Sequence, residues 1–250
     1  MRLLNGCNAR ILVLRLSDAT PLLQIANEAG LLAAPWPRSA LTLAPGERAE
    51  VLVNFGLARS GQVTRLLAST AGGGMGMGMG SGMGTGSETE VTALTMRVDR
   101  PSQPGAMASP PTRLSPAAAI SAGPGATVRT FSLDGGMMGS PFTINGRRFD
   151  IGRIDLAMPA GATEVWRFVN ATGMAHPMHV HGVRMSLLSR DGTPPSTHEQ
   201  GLRDTVLVEA MQTISVAVQA PPVTSSVPLM FHCHILEHED AGMMGQFVTT

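Results

Sequence analysis

The residues able to do chemistry lie in Phe231-His232-Cys233-His234-Ile235-Leu236-Glu237-His238, followed by Met243. One thiol stands between two imidazoles, and a further imidazole and a thioether follow at short offsets. Thiolate and thioether with imidazole favour copper over calcium or magnesium, and a Cys-His-His set with a distant Met suits an electron-transfer copper. A second cluster, His176-Pro177-Met178-His179-Val180-His181-Gly182, lies upstream. Six of the seven histidines fall in these two clusters and none precedes His176, so the imidazole chemistry belongs to the last third of the sequence.

Residues 231–234 read as a strand, and strand side chains alternate between faces. His232 and His234 then point one way, while Cys233 points the other way with Leu229 and Phe231. The same short run can therefore serve two metal sites back to back, joined by a few covalent bonds. His179 and His181 share a face if extended, whereas His176 lies before Pro177, which biases it away from helix. It is chemically economical to give His176 to the thiolate site and His179 and His181 to the other. Glu239 and Asp240 are placed to relay protons or to fix ligand orientation, because ligating histidines hydrogen-bond through their second nitrogen. Zinc is the competing metal for mixed N/S donors. The single thiolate, the methionine and the lack of a Cys-x-x-Cys pair count against it. His198 reads as a loop histidine, and Met137 and Met138 as core fillers or as lining of an approach to the metal.

The elements that must hold these residues are short strands. Candidates cover 9–16, 22–25, 49–55, 90–98, 127–133, 142–145, 163–169, 183–189, 205–209, 213–220 and 229–234, separated by Gly, Pro, Asp and Asn turns. Many short strands at this spacing point to an all-β sandwich or barrel. Two units are suggested by a weak repeat, in which Pro45-Gly46-Glu47-Arg48-Ala49-Glu50-Val51 resembles Pro159-Ala160-Gly161-Ala162-Thr163-Glu164-Val165. The expected division is a first unit at 1–98, a Pro/Ser/Ala-rich linker at 99–125 and a metal-binding unit at 126–250. A Gly/Met tract at 72–86 reads as a loop. It is either a soft-metal capture segment or low-complexity sequence without a ligand role, and the sequence leaves both open.

An apolar content of 43% is enough for a buried core, and 18 acidic residues balance 18 basic ones. That neutrality lacks the positive field of a nucleic-acid binder. No apolar run approaches a membrane span, and residues 1–8 have no secretion-signal core. Cys7 reads as a buried small residue or a free thiol; a disulfide to Cys233 would remove the latter from its cluster.

The two histidine clusters, with 239–244 (Glu-Asp-Ala-Gly-Met-Met) following the second, resemble the C-terminal copper motifs of multicopper oxidases. Residues 2–10 are similar to the middle domain of the bacterial copper-efflux members. The resemblance implies cupredoxin-like Greek-key units. It makes His176, Cys233, His238 and axial Met243 type 1 copper ligands, His179 a type 2 ligand, and His181, His232 and His234 type 3 ligands. Glu239 matches an acidic residue associated with proton delivery. The implied activity is one-electron oxidation of Cu(I) or phenol-like reductants coupled to reduction of O₂ to water, in the periplasm or outside the cell. The pattern also implies twice the four imidazoles available here for a three-copper centre, the rest coming from a preceding cupredoxin domain. The chain is therefore expected to be a truncated family member, with the first unit at 1–98 only part of a domain. The alternative is a mononuclear type 1 copper protein for electron transfer or copper holding.

Overall fold

A computed structural model describes residues 1–56, 58–71, 90–100, 109–115, 119–136 and 139–250. The first unit contains β1 (Arg2–Leu4), β2 (Leu12–Leu16), β3 (Leu22–Asn27), β4 (Gly30–Arg38), β5 (Leu41–Leu43), β6 (Arg48–Leu52), β7 (Val63–Thr70) and β8 (Val91–Arg97). The second contains β9 (Val128–Asp134), β10 (Thr143–Ile144), β11 (Leu156–Met158), β12 (Thr163–Asn170) and β13 (His176–Val180). It continues with β14 (Arg184–Arg190), β15 (Thr205–Val208), β16 (Thr213–Gln219), β17 (Ser225–Cys233), the short helix α1 (Leu236–Asp240) and β18 (Met244–Thr249).

The first unit pairs a sheet in the order β1-β6-β3-β4 with one in the order β5-β2-β7-β8. The second pairs β10-β9-β12-β16-β14 with β11-β18-β17-β13-β15. These are two cupredoxin-like Greek-key units, the first incompletely formed: the turn spacing anticipates the all-β architecture, and the family resemblance implies the cupredoxin-like units. The weak repeat has a geometric counterpart. Gly46 (φ +80°) and Gly161 (φ +73°) each take a left-handed turn conformation. The turns close through Glu47 N–H to Ala44 O and Ala162 N–H to Pro159 O, both 3.0 Å.

Alternation decides what each strand buries. In β2, Leu14 and Leu16 face inward around exposed Arg15. In β12, Glu164, Trp166, Phe168 and Asn170 face inward. Among the described residues, the first core is nine aliphatic ones, including Leu16, Leu22 and Val51. The second has twenty-two buried residues around Phe131, Trp166, Phe168, Phe231 and Phe247. Burying a large apolar side chain is worth about 1.5–3 kcal/mol, so the larger, aromatic core gives the second unit the firmer platform. The inward Glu164 is satisfied by Arg129 (2.6 and 2.8 Å) and by the Trp166 indole N–H (3.1 Å).

Parts of the expected linker touch both units: Leu114 N–H donates to Ala33 O (2.9 Å) and Ile120 N–H to Ser186 Oγ (2.8 Å). The tract 72–86, with Met137 and Met138, lies outside the described residues. Cys7 and Cys233 are both free thiols, so the formally possible disulfide is not formed. Among the described residues, no helix is long and apolar enough to cross a membrane.

Candidate metal centre

The register of β13 against β17 builds the site. Met178 lies opposite Cys233, His179 opposite His232 and Val180 opposite Phe231. Directly opposed residues share a face, so His179 and His232 look one way while Met178 and Cys233 look the other. β17 ends at Cys233, and His234 occupies the bend beyond it, its N–H held by Pro177 O at 2.7 Å. The single turn of α1 then divides its own donors. His238 returns to the Cys233 side, while its neighbour Glu239 reaches the other, with Oε2 3.2 Å from His232 Nδ1.

On the core side, His176 Nδ1, His238 Nδ1 and Cys233 Sγ form a triangle with edges of 3.1, 3.5 and 3.6 Å. The centre of such a triangle is about 2.0 Å from each corner, the length of a metal–nitrogen bond. All three residues are buried, as is Met243. Met244 pairs with His232, and Met243 O accepts the Cys233 N–H (3.1 Å), which separates the two methionines by face and leaves Met243 buried in the same core as Cys233.

Partners outside the triangle fix its rings. Asn170 Nδ2 binds Met174 O and Glu209 O, both at 2.7 Å, and Asn170 Oδ1 accepts the Thr172 hydroxyl at 2.8 Å. With its own proton so engaged, Thr172 Oγ1 accepts from His176 Nε2 (2.9 Å), leaving the Nδ1 lone pair for the triangle. Phe142 stacks on His238 with centroids 3.8 Å apart. Burial, with the nearby His238, lowers the His176 pKa to about 3, and burial lowers that of His238 to about 4. Burial pushes the Cys233 thiol far above its ordinary value. Two imidazole nitrogens 3.1 Å apart cannot both present bare lone pairs, so a proton or a cation must lie between them. A trigonal His₂Cys set with a buried thioether nearby fits copper.

On the opposite side, donor atoms of His179, His181 and His232 converge within 4.8 Å. His232 Nδ1 donates to Cys233 O (3.0 Å), so its Nε2 is bare, and that Nε2 faces His181 Nε2 at 3.1 Å. His179 Nδ1 donates to Asp204 O (2.9 Å) and lies 3.0 Å from Thr205 Oγ1. His234 stands at the margin, with ring centroids 5.6 Å from His232 and 5.8 Å from His179. Burial lowers the His232 pKa to about 4 and also lowers that of His181. Burial raises the Glu239 carboxyl.

Each donor expected from the two histidine motifs and Met243 thus lies in or near one of two clusters, whereas the thioethers of 72–86 fall outside the described residues and His198 sits apart in a short 3-10 turn, Thr197–Glu199. Asp240 is exposed, and among the described residues no hydrogen bond links it to an imidazole. The carboxylates that lie near the imidazoles are the expected Glu239, 3.2 Å from His232 Nδ1, and Asp204, 3.4 Å from His179 Nδ1. Sequence reasoning missed Asp204, Thr172 and Phe142: Asp204 and Phe142 adjoin the donors only through tertiary folding, while Thr172 lies just four residues before His176, a spacing that could have pointed to it.

Fold and donor sets together define a cupredoxin-like protein with two copper-compatible His/Cys clusters. Residues 124–250 match the sequence pattern of the multicopper oxidases, and the chain belongs to that family. It is 30% identical to multicopper oxidase mco of Staphylococcus aureus, over 100% of this chain and 48% of that protein. It is 33% identical to the cell division protein FtsP of Edwardsiella tarda, over 99% and 50% respectively. The crystal structure of the multicopper oxidase McoA from Aquifex aeolicus matches with a TM-score of 0.84 at 32% identity, covering 100% of this chain and 54% of that one. The chain therefore spans about half the length of the relatives it matches.

Proposed function

We propose that this chain carries the type 1 copper site of a multicopper oxidase together with half the imidazoles of its three-copper centre. In this reading His176, Cys233 and His238 hold the type 1 metal with Met243 as a weak axial donor. His179 serves the type 2 position, and His181, His232 and His234 the type 3 pair. The observation that carries it is the back-to-back arrangement, in which Cys233 is bonded through the main chain to an imidazole of the opposite cluster on either side. Bound copper would supply one-electron chemistry between a reductant, Cu(I) or a phenol-like molecule, and O₂ as it is reduced to water. The chain's own residues do the rest. Thr172 and Phe142 hold the core-side rings, the buried surround excludes water from the thiolate, and Glu239 keeps a carboxyl beside His232 for proton delivery. Such a protein would work in the periplasm or outside the cell.

The second reading, a mononuclear copper protein, is favoured by one observation: the core-side triangle is complete within one unit, whereas the other side has four imidazoles. The FtsP likeness adds that similarity at this level extends to a protein named for cell division, so the donors and not the percentages must decide. The deciding experiment loads the chain with Cu(II), counts copper per chain and follows O₂ uptake with a phenolic donor. The expected outcome is a thiolate-to-copper absorption band without sustained O₂ consumption until imidazoles from a further cupredoxin domain are supplied. Steady reduction of O₂ to water by the monomer would overturn the half-site assignment; a single copper per chain, unchanged by such a domain, would favour the mononuclear reading.

A further inference from the structure

The turn Pro45-Gly46-Glu47-Arg48, half of the internal repeat, belongs to the first unit but ends against the imidazoles of the second. A Cβ on Gly46 would clash with three atoms of the His234 ring, so the ring packs directly against this turn. Two residues on, Arg48 grips Asp204 with two parallel bonds, Nη1 to Oδ1 at 2.7 Å and Nη2 to Oδ2 at 2.6 Å. A third bond, from Arg48 Nη1 to Gly46 O (3.0 Å), ties the guanidinium back to its own turn. Asp204 Oδ1 also accepts the Thr205 hydroxyl (2.9 Å) and lies 3.4 Å from His179 Nδ1, whose proton goes to the Asp204 carbonyl.

We propose that this turn positions the four-imidazole cluster: Arg48, acting through Asp204, holds His179 with its proton on Nδ1 and its Nε2 offered to the cluster, while Gly46 sets the plane of His234. The proposal rests on reading that cluster as a metal half-site. The plainer alternative is an ion pair that only joins the two units. Exposed ion pairs contribute little to stability, but a bidentate Arg–carboxylate pair adds fixed geometry. Here the fixed carboxylate belongs to the residue whose carbonyl takes the imidazole proton. In metal sites, removing such an outer partner costs about 10–100-fold in metal affinity. The first unit, which holds none of the histidines, would thus determine how the second presents two of them.

The test compares the full chain with Arg48→Met, Arg48→Lys and Asp204→Asn, and with Asn27→Ala as a control that removes a different inter-unit contact, Asn27 Nδ2 to Gln200 O. Nitrogen-15 NMR of the metal-free histidines reads which ring nitrogen of His179 carries the proton. Cu(II) titration by EPR reads the affinity of the four-imidazole side, and the thiolate absorption band reports the other cluster. Arg48→Met should let the His179 proton redistribute between its nitrogens and weaken the four-imidazole copper by about 10–100-fold with the band unchanged. Arg48→Lys should fall between, because an ammonium cannot reproduce the fork, and Asn27→Ala should change neither readout. If Arg48→Met does not fold, the near-isosteric Asp204→Asn gives the same readouts. A folded Arg48→Met or Asp204→Asn with an unaltered His179 proton would overturn the proposal, and so would an equal effect in Asn27→Ala. Failure of the parent chain to bind copper at the four imidazoles would defeat the half-site reading instead, while the metal-free NMR still judges the positioning.

Discussion

The two donor sets that share β17 differ in how they are closed. On the core side, three donors form a buried triangle whose outer partners, Thr172 and Phe142, come from the same unit and lie in or beside its core. On the other side, His179, His181 and His234 are only half-buried. Their surroundings are carboxylates, carbonyls and a turn borrowed from the first unit. Neighbouring residues of one strand thus meet opposite conditions, a dry preset pocket and a partly wet surface supported from a distance. The difference shows that ligand spacing alone does not determine a site: the same alternation delivers both sets, and the material behind each decides its independence.

The sharpest way to break this contrast is to remove the donor unique to one side. Cys233→Ser should abolish the thiolate-to-copper absorption, because a hydroxyl is neither soft nor appreciably ionised at neutral pH. His179→Ala should leave the band largely intact. Absorption spectra of the two copper-loaded variants check this; equal bleaching with both proteins folded would mean that the faces are not independent.

Acid should bring out the next difference. His176, near 3, and His238 and His232, near 4, are all depressed by burial from about 6.5, so between these values the unfolded chain binds protons that the folded chain refuses. Stability of the metal-free protein is therefore fully present above pH 6.5 and falls as the pH drops towards 4. Urea midpoints measured across that window should decline steadily, and a flat profile would show that the imidazoles are already charged in the fold. His176→Gln should shallow the decline more than His181→Gln, if the closed side is the drier.

The smallest expected effect refines the closed side. Met243→Leu should keep the absorption band and raise the reduction potential modestly, since a weak thioether donor to Cu(II) is lost and the surround becomes more apolar. Met244→Leu should not, because Met244 pairs across from His232. A redox titration showing the shift only in Met244→Leu would reverse the axial assignment.

Much of this was legible in the sequence because period-two alternation is local. β12, expected at 163–169, spans Thr163–Asn170, and β16, expected at 213–220, spans Thr213–Gln219. The two-faced reading of residues 231–234 holds although His234 lies past the strand end. β4 escaped notice because Pro35 and Pro37 argue against a strand, yet it lies at a sheet edge, where a missing N–H is tolerated. The short β5 and β11 depend on partners far along the chain, Leu12–Leu14 and Phe247–Thr249, and have no periodicity of their own to read. Arg48 and Asp204 were out of reach for the same reason: 156 positions separate two groups that touch.

The alternation along β17 also gives this segment something like a reading frame at the level of the folded chain. Substitution at one position alters one donor. A single-residue insertion between Phe231 and Cys233 would turn the thiol outward and an imidazole inward, exchanging the contents of both sites at once unless a bulge absorbed it. The stretch should therefore accept many replacements of side chain and very few changes of length, and in a library of one-residue insertions it should stand out as a sharp gap in copper binding rather than in expression.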